Sequence, residues 1–329
     1  MSRISPILVL MLAGTVLAQQ PPEKQPEKPE QPTAAQPVEP LDKAVAPDLA
    51  QQQQQPQREV VWTITAPTEL GISTGLVDHP GDVAVSRLGA SINSAIPIGQ
   101  RSELNVGFEY EFSHYDFKNA TDFAPGTASP WRDIHRELLR VRFGTQETMQ
   151  FSWLVGGAIG LSAEDGADLG KSISGNVYGG GAVNFSKDFK IGGAVVFYER
   201  MERSPLILPI PTVDWQISES LRLWTAGKPG VTLFFTPDPQ WTFSIGGWYE
   251  YRNFRLDKNG PIPDGIGNDS GIPVELGIIY RATRSVTISG GAGVQLWREY
   301  ETDDSHGNRI AKIDSNPSPY FKLQFEYKF

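Results

Sequence analysis

The stretch that decides the fold is Tyr320-Phe321-Lys322-Leu323-Gln324-Phe325-Glu326-Tyr327-Lys328-Phe329. Every odd position from Phe321 to Phe329 is apolar or aromatic, and every even position from Lys322 to Lys328 is polar. Successive side chains of a strand point to opposite faces, so this is a strand with one greasy and one wet face. The pattern recurs upstream. Leu104, Val106, Phe108, Tyr110 and Phe112 interleave with Asn105, Gly107, Glu109 and Glu111. Leu139, Val141 and Phe143 interleave with Arg140 and Arg142, and Val286, Ile288, Ala292, Val294 and Leu296 with Thr287, Ser289, Gly291 and Gln295. A soluble sandwich keeps its exposed face polar, whereas here nearly every strand carries an aliphatic or aromatic face. The expected fold is therefore all-β: a transmembrane antiparallel up-and-down β-barrel, apolar outward and polar inward.

The closing aromatic strand resembles the assembly signal of bacterial outer-membrane barrels, with Gln324 where a Gly is usual. That resemblance gives Phe325, Tyr327 and Phe329 the role of the signal, with the barrel-assembly machinery and outer-membrane lipid as partners. The other end agrees. Arg3, the apolar run 7–18 and the small-residue site Val16-Leu17-Ala18 read as a signal peptide, residues 1–18. With no Cys, no lipidated N-terminus of the bacterial lipoprotein type, disulfide or thiolate metal site is expected. Residues 19–58 are rich in Gln and Pro and include the run Gln51 to Gln55. They are expected to be a disordered periplasmic tether, and a second reading has them touch the cell wall or thread the pore. The net charge of −9 argues against nucleic-acid binding.

The barrel domain is placed at 59–329. Short turns are expected near Pro97–Arg101, Gly144–Thr148, Ser186–Asp188, Ser218–Ser220, Thr236–Gln240 and Ala282–Ser285. Longer loops are expected at about 117–131, 163–172, 200–206, 257–270 and 302–317. Parity makes 226–230 an external turn and requires a first strand near 60–75, giving fourteen strands. Twelve result if 219–236 is one kinked strand. Mid-strand glycine groups such as Gly156-Gly157, Gly192-Gly193 and Gly290-Gly291 would permit curvature and leave interior room. Trp153, Trp215, Trp241, Tyr249, Tyr251, Tyr280, Tyr327 and Phe329 are assigned to interfacial girdles.

The run Thr236-Pro237-Asp238-Pro239-Gln240-Trp241 through Gly246-Gly247-Trp248-Tyr249-Glu250-Tyr251, with Phe254-Arg255-Leu256 and Pro211-Thr212-Val213-Asp214-Trp215, resembles an uncharacterised outer-membrane barrel family, a domain of unknown function. The resemblance spans roughly 80–329. It implies a fold and a location, but no activity and no site residues.

Chemistry is sparse. Ser113 and His114 are adjacent on one strand and face opposite ways, so they form no nucleophile–base pair, and His135 has no evident partner in sequence. The acidic clusters at 164–168, 264–269 and 301–304 read as solvated loop charges, with Ca²⁺ ligation the alternative. No cofactor or metal is expected. Parity points Glu109, Glu111, Arg140, Arg142, Lys190, Arg200, Arg222, Glu250, Arg252, Glu275, Arg281, Glu299, Lys322, Glu326 and Lys328 inward. Glu109 and Glu111 are expected to pair across strands with Arg140 and Arg142. Such a lumen supports a passive, porin-like channel for small polar solutes with weak anion preference. Its alternatives are a closed structural or binding barrel braced by ion pairs and, least favoured, an outer-membrane lipid hydrolase.

Overall fold

The structure, a computed structural model, describes residues 59–124, 126–225 and 229–329. The expected signal peptide and tether, and most of the turn at 226–230, lie outside the described residues.

In chain order the strands are β1 (Val61–Gly71) with its extension β2 (Thr74–Gly75), β3 (Asp82–Ile98), β4 (Ser102–Lys118), β5 (Asp133–Gln146) and β6 (Phe151–Glu164). There follow β7 (Ile173–Asn184), β8 (Phe189–Arg200), β9 (Arg203–Gln216), β10 (Leu221–Trp224) and β11 (Gly230–Phe235). β12 (Trp241–Trp248) continues after a break at Tyr249 as β13 (Glu250–Arg255). The last are β14 (Ile266–Arg281), β15 (Val286–Asp303) and β16 (Arg309–Ser315), which runs on into β17 (Ser318–Lys328). Counting each continuation with its parent gives fourteen antiparallel strands in one closed sheet. Closure is made by β17 pairing with β1 from Thr63↔Lys328 to Gly71↔Tyr320, and Trp62 and Phe329 exchange backbone hydrogen bonds at 2.9 and 3.0 Å.

The outward faces carry the apolar alternation. Ile64, Ile92, Phe108, Leu139, Val155, Ile159, Val177, Val195, Ile207, Ile245, Leu276, Phe321, Leu323 and Phe325 are exposed large hydrophobics. A band of this kind belongs in hydrocarbon, not in water. At the end with the short turns lie Phe151, Trp215, Trp241, Tyr327 and Phe329, all exposed, an aromatic girdle at one interface. The inward glycines make room for rings. A Cβ on Gly156 would sit 2.6 Å from the Tyr178 ring, and one on Gly293 2.5 Å from the Tyr320 ring.

The ring changes size along its axis, which the alternation did not foretell. At the loop end β13 leaves the wall and forms a parallel bridge to β6, Arg255↔Ala163. A smaller ring closes there through β2, β3, β4, β5, β6, β13, β14, β15 and β16, completed by Leu76↔Ser315. Five strands, β7 to β11, are left out of it. Removing an odd number from an alternating ring of fourteen leaves nine, so one junction has to be parallel.

Several loop expectations are corrected by this geometry. The link at 200–206 is a two-residue turn, Met201-Glu202, strand resumes at Ile266 inside 257–270, and 302–317 contains β16. Tyr249 and Tyr251 are not girdle residues. β13 turns in behind β8, and Tyr251 packs edge-on against Tyr198 at 5.5 Å.

Candidate functional site: the barrel interior

The nine-strand end has a packed core. Tyr115 and Phe117 of β4, Phe123 and Trp131 of the following loop, Phe254 of β13 and Tyr300 of β15 are all buried and in mutual ring contact, mostly edge-to-face. An eight-strand ring is just wide enough for side chains to fill, and nine strands add little. Ring size and aromatic volume together make this end of the interior a packed core.

Beneath the rings lies a lattice of buried charge. Arg87 of β3 bridges Glu69 of β1 and Asp269 of β14, the latter at 2.9 Å. Arg298 of β15 grips both oxygens of Asp269, with Nε donating to Oδ1 at 2.8 Å, and the Tyr115 hydroxyl donates to Oδ2 at 2.7 Å. Arg252 of β13 donates to both oxygens of Glu111 at 2.8 and 3.2 Å and to Glu250 at 2.9 Å. Of these, Arg87–Asp269 and Arg252–Glu111 reach across the barrel between strands far apart in sequence.

Below the lattice is a cavity of about 490 Å³ lined by Thr65, Ser91, Arg136, Arg140, Lys322 and Glu326 among others. Arg140 pairs with Glu109 at 2.7 Å, while Arg142 lies 3.8 Å from Glu103. The expected Glu111–Arg142 pairing is replaced by Glu111–Arg252, because Arg252 approaches from the inward-bent β13. Glu275 accepts from the Tyr320 hydroxyl at 3.1 Å, and Lys322 lies 5.8 Å over the Trp248 ring. Nearer the short turns, Arg222 is bidentate to Asp214 at 2.7 Å, Arg281 donates to Thr242 Oγ1 at 2.9 Å, Lys190 lines a shallow cavity with both Asp214 and Arg222, and Glu326 pairs with Lys328 at 3.0 Å. Arg200, at the far end, donates to the Ser204 carbonyl at 2.8 Å.

One parity expectation fails. A register shift at Ile272/Pro273, where Pro273 faces Gln295 and Ile272 faces Trp297, inserts an extra residue in β15. Arg298 and Tyr300 therefore turn inward, and Glu299 turns out to pair with Lys312 at 2.7 Å. Sequence reasoning missed Glu69, Arg87, Asp269 and Arg298, the centre of the lattice. For Arg298 the signal available was Pro273 in mid-strand, a position that favours a bulge.

The opposite wall is different in kind. Register turns Ala158, Tyr178, Ala194, Val196, Leu206, Leu208, Ile210, Trp224 and Phe234 inward on β6 to β11. A second cavity of about 380 Å³ lies against Trp224, Phe234 and Trp248. The interior is thus charged on one side and apolar on the other.

Ser113 faces inward, where it is buried beside Glu111, while His114 faces out and bonds Asp133 at 2.6 Å. His135 bonds the Tyr110 hydroxyl at 2.8 Å and lies 3.2 Å from Asp165. No hydroxyl nucleophile of Ser113 meets an imidazole. Among the described residues no three acidic or histidine side chains converge as metal ligands. The acidic loops are used internally: Asp304 accepts from the His306 and Asn308 amides at 2.8 and 2.9 Å, and Asp264 from Lys171 at 2.8 Å. That bond to Lys171 holds the half-buried Asp264 carboxyl below its ordinary range. A carboxyl lowered by folding adds stability above its unfolded pKa and loses it as pH falls through the folded value. Thermal unfolding of wild type and Asp264→Asn should therefore differ slightly at neutral pH and converge in acid.

No family model matches the chain, and no curated protein matches it. Among solved structures, an outer-membrane channel from Pseudomonas putida F1 aligns with a TM-score of 0.46 at 10% identity, over 82% of this chain and 95% of that one. The toluene transporter TodX of P. putida aligns with a TM-score of 0.41 at 8% identity, over 82% and 89%. The NanC porin aligns with a TM-score of 0.36 at 8% identity, over 80% and 100%. Likenesses this distant say nothing about what this chain carries.

Proposed function

We propose that the protein is an outer-membrane, porin-like barrel whose axial path is shut at the outer end, rather than an open pore for small polar solutes. The observation that carries this reading is the nine-strand ring filled by Tyr115, Phe117, Phe123, Trp131, Phe254 and Tyr300. The wet, charged cavity below it faces the end with the short turns, which in such barrels is periplasmic. The outward apolar band and the aromatic girdle support placement in a bilayer. The chain's closing strand, with Phe325, Tyr327 and Phe329 outward and exposed, suits recognition by the barrel-assembly machinery. The paired charges of the interior leave little excess of either sign to select ions.

The test is conductance of the refolded, heat-modifiable protein in a planar bilayer, with and without residues 19–58. The expected result is a silent barrel in both forms. Stable, reproducible steps from the full mature chain would overturn the closed axis. Steps only after removing 19–58 would assign closure to that segment instead.

A further inference from the structure

Among the described residues, strand pairing in the wall is sparse on one side. β10 is four residues long and meets β9 only from Gln216 to Asp214, with one further exchange between Val213 and Thr225. Four residues of strand rise about 13 Å, whereas crossing the hydrocarbon takes about 9–11 residues. The neighbour that could close the gap, β13, has turned inward to β6. Among the described residues, no strand pairs with the β10-facing edge of β9 between Arg203 and Thr212, and of its backbone groups only the Pro211 carbonyl is met, by the Thr225 hydroxyl at 3.4 Å.

The sequence of β9 fits an edge. Val213 and Ile217 use their N–H groups toward β10, whereas Gln216 donates to Asp188 on the β8 side. Odd positions of β9 therefore bond toward β10 and even positions toward β8. Pro209 and Pro211 occupy successive odd positions, with Pro205 nearer the outer end, so among these odd positions only Ile207 retains a donor. Proline is confined to sheet edges because it cannot donate to a ladder. In lipid each unsatisfied donor costs several kcal/mol, so proline at these positions removes donors that would otherwise stand unpaired.

The unpaired edge lies within the apolar band. Ile207 is 61% exposed and sits beside outward Phe197, itself followed across β7 by Val177. Immediately behind the edge, the inward residues are Val196, Leu206, Leu208 and Ile210. The opposite side of the interior is charged, with Arg140, Lys322 and Glu326 among its lining residues.

We infer that the unpaired edge of β9 frames a lateral opening through which the hydrocarbon chain of an outer-leaflet lipid reaches the apolar side of the barrel interior. The occupant follows from the surroundings. The opening lies at hydrocarbon depth, the β9 edge that frames it keeps a single backbone donor, at Ile207, over 205–211, and the surface behind it is aliphatic. The inference rests on the bilayer placement proposed above and not on the closed axis, so conductance and lipid contact can fail separately.

The chain has no Cys, so single-cysteine labelling needs no background removal. Ile207→Cys (outward), Leu208→Cys and Ile210→Cys (inward, behind the edge) and Ala158→Cys (inward, behind the continuous wall of β5 to β7) are each labelled with bimane. They are reconstituted in phosphatidylcholine vesicles with brominated acyl chains. The expected result is chain-dependent quenching at 208 and 210 as strong as at 207, with none at 158. Inward labels at 208 and 210 that escape quenching, as at 158, would overturn the opening. Quenching at 207 alongside this result would leave bilayer placement intact, and its loss at 207 too would remove both readings. Val196→Cys, directly opposite Leu208, replaces any variant that loses heat-modifiable migration.

Discussion

Asp269→Ala is expected to lower stability by about 3–5 kcal/mol, the usual cost of removing one partner from a buried ion pair. Asp269 is 3% exposed and is held by Arg87, by Arg298 and by the Tyr115 hydroxyl. Its removal leaves the Arg298 guanidinium buried with no carboxylate and strips Arg87 of one of its two. The attraction lost is the smaller part of the effect, and the desolvated charge left behind is the larger. The control follows from that distinction. Asp269→Leu combined with Arg298→Met removes both members and should recover much of the loss, because Arg87 keeps Glu69. The urea midpoint in lipid vesicles reads both variants. A single variant within about 1 kcal/mol of wild type would mean that water reaches the lattice and screens it.

Arg255→Ala should unfasten the smaller ring. The Arg255 side chain is 1% exposed and joins three links of the loop end. It donates to the Lys171 carbonyl at 2.9 and 3.2 Å, to the Asp264 carbonyl at 2.9 Å and to Glu202 at 2.9 Å. Its backbone makes the parallel bridge to Ala163. Loss of the side chain orphans the buried Lys171 and Asp264 carbonyls, worth about 3 kcal/mol, while Glu202, 43% exposed, turns to water. The expected outcome is a folded barrel in which β13 parts from β6 and conductance steps appear in the planar bilayer. Arg255→Lys, which cannot span three acceptors, should show fewer steps. A silent Arg255→Ala variant that remains folded would place closure in the aromatic core alone.

These two residues also separate what is local in this chain from what is not. The alternation in β4, β5 and β17 fixes which side chains meet lipid, because a strand's period is two whatever its partners are. Turn chemistry at Pro237-Asp238-Pro239 and Ala282-Thr283-Arg284 spaces the strands, and together these set a fourteen-strand ring and the inward placement of Glu109, Arg140, Arg252 and Lys322. The inward position of Arg298 was lost to reading by parity alone, since a single extra residue beside Pro273 reverses the faces of everything after it.

The sequence alone therefore determined the barrel class, the lipid-facing band and the closing strand, all consequences of period-two patterning within single strands. Only the tertiary structure decided that β13 abandons the wall for β6, that nine strands rather than fourteen ring the loop end, and that among the described residues no strand pairs with β9 from Arg203 to Thr212. Those outcomes depend on pairings between segments about a hundred residues apart, such as Ala163 with Arg255 or Arg203 with Glu301. No local period encodes them. They are selected by how rings and charges fill a shared interior.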